Sequence, residues 1–267
     1  MKLFAIISVS VITLLTVSSC EKVIDIKLND AAKKYVIEGN ISNEPGQCMV
    51  SITQTKNFSE NNDFPGISGA TVTITDNGGT VIPLTETSSG NYSTSVLNGA
   101  PGHVYALNVV IGGQSFTAGS TMPSPVNLDS IFVEDKILFG DSTKTVHVNY
   151  KDPAAKGNAY HFIQYKNNVR EKAVFVTNDD YTNGNAISTQ LRTFDNSDDD
   201  NKLRTGDSVK VIMECIDTPV YQYWFSIDAA TGQSNNATPA NPVSNITGGA
   251  LGYFSAHTTQ SKTMLVP

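Results

Sequence analysis

The sequence predicts an all-β fold arranged as two β-sandwich domains, and three observations predict it. Many short segments alternate apolar and polar residues, the period of a half-buried strand. Turn signals rich in Gly, Asn, Asp and Pro separate them at intervals of about 8–12 residues, as in sandwiches. The composition agrees: 27 Thr, 25 Ser and 24 Asn stand among 267 residues, and only 16% are charged. That mix favours strands and turns over exposed helices, which draw on Ala, Leu, Glu, Lys and Arg. A hydrophobic content of 39% supports a sizeable core, which excludes wholesale disorder. A formal charge of −7 argues against nucleic acid, whose phosphates demand Lys and Arg.

The first twenty residues read as an address. Lys2 precedes an apolar run, Leu3 to Val17, shorter than the ~20 residues of a spanning helix, so it predicts a signal-peptide core. Val17-Ser18-Ser19-Cys20 is similar to a bacterial lipobox. The resemblance implies that residues 1–19 are removed and that Cys20 is diacylated as the mature N-terminus. The mature chain is then 267 − 19 = 248 residues, attached to the membrane by acyl chains alone. Residues 20–34 form the tether.

Residues 35–122 predict the first sandwich. Tyr35 to Gly39 opens it, Cys48 to Thr55 alternates, and Ala70 to Thr75 has an apolar Ala70/Val72/Ile74 face. Asp76-Asn77-Gly78-Gly79 signals a hairpin, because Asn and Gly accept positive φ. Thr80 to Thr87 returns with Val81 and Pro83 on one face, and the proline predicts an edge strand. Tyr92, Tyr105 to Ile111 and Ser115 to Ala118 complete the block. From Asn57 to Asp135 the chain has no Lys or Arg, and Glu60, Asp63, Asp76, Glu86, Asp129, Glu134 and Asp135 are its formal charges. The acids are scattered, which favours a solvated Thr/Ser/Asn coat over a binding surface.

Met122-Pro123-Ser124-Pro125 predicts a stiff linker over 123–128. Residues 129–267 predict the second sandwich, with strands at 129–133, 145–150, 160–165, 173–177, 187–191 and 209–216. One helix interrupts it near 219–230, with Asp217 as N-cap and Pro219 in the first turn. Tyr221, Trp224 and Phe225 are expected to face the sheet, with Tyr223 outward. Gly248 to Phe254 and Thr263 to Val266 predict two closing strands. The glycines mark a bulge or a place where another backbone approaches.

Motifs that carry chemistry are sparse. Cys48 and Cys215 lie on apolar strand faces in different blocks, which predicts buried thiols rather than a disulfide. His103, His147, His161 and His257 show no metal-ligand spacing. His147 and His161 lie on strands expected to be neighbours, where they could face each other. Asp195, Ser197 and Asp199 alternate as Ca²⁺ ligands can, but the segment lacks the glycine and distal Glu of an EF-hand, and a solvated loop is the default. No G-x-S-x-G elbow is present. No catalytic residue and no cofactor is expected, structural calcium aside. Asp129-Ser130-Ile131, Asp141-Ser142-Thr143 and Asp207-Ser208-Val209 resemble a bacterial O-glycosylation signal.

Several motifs together carry a family resemblance. They are the lipobox, Tyr35-Val36-Ile37-Glu38-Gly39, Ile67 to Val72, Pro101-Gly102 with Tyr105 and Leu107, Met122-Pro123, Tyr221 to Trp224, and Asn241 to Ile246 followed by Gly248 to Phe254. The chain resembles, over nearly all of its mature length, the Bacteroidota lipoproteins grouped as domain of unknown function 4249. The first block also resembles carboxypeptidase-regulatory-like, immunoglobulin-like sandwiches, and the second a fibronectin type III sandwich with an added helix. The family resemblance implies an outer-membrane lipoprotein encoded beside a TonB-dependent receptor, with no catalytic residues. Glu21 and Asp25 after Cys20 resemble a signal for export to the cell surface, diluted by Lys22-Val23-Ile24, with a periplasmic orientation as the alternative. The expected function is a non-catalytic, lipid-anchored accessory partnering that receptor in nutrient capture. A surface adhesin or matrix protein is the alternative, and a surface hydrolase a further one. Loops 57–68, 178–186, 195–204 and 231–245 are the candidate contact surfaces.

Overall fold

The computed structural model describes residues 32–57, 60–138, 141–191, 202–231 and 241–267. Lys33–Lys56 and Glu60–Pro267 form one compact unit. The signal peptide, Cys20, most of the tether, the calcium candidates Asp195, Ser197 and Asp199, and residues 232–240 of the last candidate loop lie outside the described residues.

The protein is all-β with one helix among the described residues. The first block contains β1 (Tyr35–Ser42), β2 (Cys48–Gln54), β3 (Thr71–Asp76), β4 (Val81–Ser88), β5 (Asn91–Ser93), β6 (Val104–Ile111) and β7 (Gln114–Thr121). The second contains β8 (Leu128–Leu138), β9 (Asp141–Lys151), β10 (Ala159–Lys166), β11 (Val169–Arg170), β12 (Phe175–Asn178), β13 (Ala186–Leu191) and β14 (Ser208–Ile216). Then come α1 (Thr218–Thr231), β15 (Ile246–Thr247) and β16 (Leu251–Leu265). One long sheet runs β11-β10-β14-β16-β1-β2-β5-β4-β3-β6-β7-β15, with β12 also on β10, and a smaller sheet runs β13-β9-β8.

The alternation read in the sequence is the burial pattern of the strands. In β6, Tyr105, Leu107, Val109 and Ile111 point inward, and in β7 Phe116 and Ala118 do. Two hydrophobic cores result. One gathers Ile37, Ile52, Ile74, Leu107 and Phe116 of the first block with Phe254 and Ala256 of β16. The other gathers Val146, Val148, Tyr150, Tyr160, Phe162 and Val211. Cys48 belongs to the first core and Cys215 to the second; both are free, and burial pushes the Cys48 thiol up to about 12.

The structure refines the sequence reading of the strands. In the sheet order β4 lies between β5 and β3, but its first half pairs with β3 and its second half with β5. Pro83 opposes Thr73 in the half that has one neighbour, so it stands locally at an edge, as the proline predicts, and its missing N–H breaks no ladder. The inward residue of that strand is Leu84, while Val81 is exposed. The two closing strands are one strand of 15 residues, β16. Its first part pairs parallel with β1, from Val36 opposite Leu251 to Ser42 opposite His257. Its second part pairs antiparallel with β14, from Cys215 opposite Thr258 to Ser208 opposite Leu265. Finally, β11 was not apparent in the sequence. It closes a hairpin on β10 through Asn167 and Asn168, both at positive φ.

The glycines near the C-terminus admit a close backbone approach. At Gly252, φ is +98° and an added Cβ would stand 2.0 Å from the Ile37 carbonyl oxygen. Gly252→Ala should therefore cost about 3 kcal/mol or more of stability in urea denaturation, because strain and collision coincide in the β1–β16 ladder. Gly249 also has positive φ, +90°, but nothing within 4 Å of an added Cβ, so Gly249→Ala should cost about 1 kcal/mol. Equal losses would refute the close-approach argument.

Candidate functional site

The site forms where α1 lies over one face of the long sheet. Asp217 caps the helix: its Oδ1 accepts the Val220 N–H at 3.1 Å, and its Oδ2 accepts the Ser120 hydroxyl at 2.9 Å and the Thr121 N–H at 2.8 Å. Ser120 Oγ in turn accepts the Ala256 N–H at 2.9 Å. One carboxylate thus ties the helix start to β7 and, through Ser120, to β16; burial holds its pKa above the ordinary value.

The helix is turned slightly from the sequence expectation: Tyr221 and Trp224 pack on the sheet as expected, while Tyr223 turns inward and Phe225 outward. Val220 and Tyr223 are buried and Trp224 half-buried, whereas Phe225 is 53% exposed. The inward stripe is 220, 223, 224 and 227, the i, i+3, i+4, i+7 pattern. Four aromatic residues in a row of five made the face ambiguous in sequence. Tyr223 is the sheet anchor, its ring 4.8 Å from Tyr253, and Tyr221 and Phe225 stack on each other at 5.7 Å.

Beneath Trp224, three strands bring together His161 of β10, Glu214 of β14 and His257 of β16. His161 and Glu214 are register partners. His161 Nδ1 lies 2.8 Å from Glu214 Oε2, and His257 Nε2 lies 3.5 Å from Oε1. Ser255 Oγ lies 3.0 Å from His257 Nδ1. The Trp224 indole covers the His161 ring at 4.4 Å and 15° between planes. Burial pushes the Glu214 carboxyl up, but His257, His161 and Arg170 outweigh it and hold it down at about 2. Asn40 donates to the Tyr253 hydroxyl at 3.2 Å and closes the cluster on the β1 side.

His147 and His161 do not meet, because β9 and β10 belong to different sheets. His147 stacks on Phe132 at 4.8 Å and approaches Glu134 at 3.1 Å; burial lowers its pKa. Among the described residues no group of three or more His, Cys, Asp or Glu is arranged for a metal ion. In the His–Glu–His cluster the carboxylate oxygens face the imidazole nitrogens, so the groups satisfy one another. The loop 178–186 exposes Tyr181 almost completely and buries Asp179, whose Oδ2 accepts the Asn158 N–H at 2.8 Å. Ser130 is half-buried and accepts from Asn149 at 3.0 Å. The cluster under Trp224 had no sequence signal of spacing. The available clue was three polar side chains, each set between core residues of a strand.

The depressed Glu214 pKa has a definite sign. Its carboxyl goes from an ordinary 4.5 to about 2 in the folded protein, so the stability it contributes is present above pH 4.5 and is lost as pH falls through about 2. Urea midpoints measured between pH 5 and 2 should fall more steeply for the native chain than for Glu214→Gln. Parallel curves would contradict the assignment.

No curated protein sequence matches this chain. Among solved structures, the chicken interferon gamma receptor alpha chain aligns at 10% identity over 89% of this chain and 100% of that one, with a TM-score of 0.26, too loose a likeness to carry any argument. Residues 21–263 match the family described as "Domain of unknown function (DUF4249)", and the chain belongs to that family.

Proposed function

We propose that this chain is a lipid-anchored outer-membrane accessory protein, exposed at the cell surface, that binds non-covalently beside a TonB-dependent receptor in nutrient capture. The observation that carries the reading is the junction at Cys20: the family match opens at residue 21, directly after the lipobox-like Val17-Ser18-Ser19-Cys20. A family match that opens one residue after Cys20 supports the reading of the preceding residues as an address. Among the described residues no helix is long and apolar enough to cross a membrane, and acyl chains on Cys20 would supply the attachment. A braced β scaffold suits the task, since it holds loops such as 178–186 in place for a partner.

Cys20→Ser should move the protein from the outer-membrane fraction to the soluble fraction and abolish metabolic labelling with palmitate. Retention in the membrane with labelling lost would overturn the anchor. The tagged native protein should co-purify with a receptor under mild detergent, and isolation alone would count against the partnership.

A surface hydrolase is favoured by one observation, the run Ser255–His257–Glu214, which has the order of a nucleophile, base and orienting acid. Against it, Ser255 is 2% exposed and His257 6% exposed, so a substrate carbonyl has no open approach to the hydroxyl. A fluorophosphonate probe should leave the chain unlabelled; labelling at Ser255 would establish the hydrolase.

A further inference from the structure

We propose that His161, Glu214 and His257 form a proton-operated clamp that holds α1 on the sheet, with Trp224 as its lid. Glu214 offers one oxygen to each imidazole, at 2.8 Å and 3.5 Å, and all three side chains lie mostly out of solvent. With both imidazoles neutral, the carboxylate has no other ion-pair partner within 4 Å among the described residues. One added proton gives the cluster zero net charge. This offsets the cost of burying the imidazolium, because the pair rather than a lone ion is buried. The same proton adds a second contact. The indole lies parallel over His161 at 4.4 Å, and an aromatic face attracts a cation more strongly than a neutral ring. The ion pair joins strands of one sheet, whereas the stacking of Trp224 on His161 joins sheet to helix, so with the proton on His161 α1 is held more tightly as pH falls through the imidazole range and loosens as it rises.

The charged and titratable groups around the cluster support a local response. From β1 comes Glu38, whose carboxyl burial raises and Arg170 lowers. From β11 comes Arg170, which also acts on Glu214. From β14 comes Cys215, a thiol that burial raises. From β16 comes Tyr253, and from α1 Tyr221 and Tyr223, all three phenols raised by burial. Asp180 stands beside Tyr221, and Asp228 lies one turn along α1 from Trp224. The imidazoles are the groups among these that ordinarily change charge between about pH 5 and 8.

The second acid limit is set by charge. Two protonated imidazoles on one carboxylate leave the cluster at +1, and like charges then oppose the clamp. Holding is therefore strongest where one proton is shared, and it weakens on either side.

Trp224 is the single tryptophan of the sequence, which makes the clamp directly readable. Intrinsic fluorescence of the full chain, titrated from about pH 8 to 5, should lose intensity in one step as the stacked imidazolium quenches the indole. His161→Phe keeps a ring under Trp224 and should abolish the step. Glu214→Gln removes the carboxylate that both imidazoles face and should shrink the step. Acrylamide should quench Trp224 more strongly at pH 8 than at the midpoint in the native chain, and equally at both in His161→Phe. A flat native titration, a step that survives His161→Phe, or acrylamide access independent of pH would each overturn the clamp. Circular dichroism of every variant separates these outcomes from misfolding.

Discussion

The parallel pairing of β1 with β16 is the constraint on which the rest of the structure depends. Every other strand pair among the described residues is antiparallel. A parallel ladder needs a crossover, and here the crossover is nearly the whole chain, with Val36 paired to Leu251. β16 thereby belongs to both blocks: Phe254 and Ala256 fill the first core, and its later residues carry the β14 ladder over the second. Loss of that one ladder would open a face of the first core and detach the sheet that supports α1.

The family motifs acquire a physical meaning from this pairing. Two of them, Tyr35 to Gly39 and Leu251 to Phe254, are register partners. Phe254 packs where Gly39 has no side chain, since a Cβ there would stand 2.8 Å from the Phe254 ring. Asn245 braces the same point: its Oδ1 accepts the Phe254 N–H at 2.9 Å and its Nδ2 donates to the Phe254 carbonyl at 2.8 Å. Ser244 donates to the Gly252 carbonyl at 2.7 Å. A third motif works likewise, with the Tyr105 hydroxyl accepting the Ala100 N–H at 2.8 Å and Gly102 donating to the Met122 carbonyl at 2.8 Å. The residues that carry the resemblance read in the sequence close its sheet, so their first role here is in folding.

Legibility in the sequence followed the range of each interaction. Strands were legible because alternation is local, and the helix was legible because Asp217 and Pro219 stand two residues apart at its start. The rotation of α1 was not, since Tyr221, Tyr223, Trp224 and Phe225 supply apolar bulk in almost every direction and only the sheet selects among them. The union of β16 was hidden because Thr258, Thr259, Gln260 and Ser261 look like a loop. They are a strand because β14 offers them a ladder, and Gln260 reaches Val126 and Leu128 from there, at 3.0 Å and 3.1 Å. The candidate site was the least legible part. His161, Glu214 and His257 are separated by tens of residues, and nothing in one strand announces the other two.

The placement of charge completes the argument. Five of the seven acids in the stretch without Lys or Arg are engaged by neighbours. Lys33 pairs with Glu60 and His103 with Asp76, Gly69 and Gly90 donate N–H groups to Glu86, Lys136 and His147 approach Glu134, and Lys144 pairs with Asp135. Exposed pairs of this kind contribute little stability, but they leave that stretch without a concentrated field to draw a basic partner. The strongest electrostatics are instead taken inward, at Glu214 between two imidazoles and at Asp152, which accepts from the Tyr160 hydroxyl in the second core. Removing Tyr160's hydroxyl would leave that carboxylate, fully buried, with the longer bond from the Thr182 hydroxyl at 3.5 Å, and a buried acceptor that loses its donor is costly. A protein built this way spreads a net charge of −7 over a hydroxyl-rich chain and keeps its buried His–Glu–His cluster under the helix. A change of charge in that cluster falls on the packing of Trp224 over His161, where the pair lies out of solvent and salt screens it least.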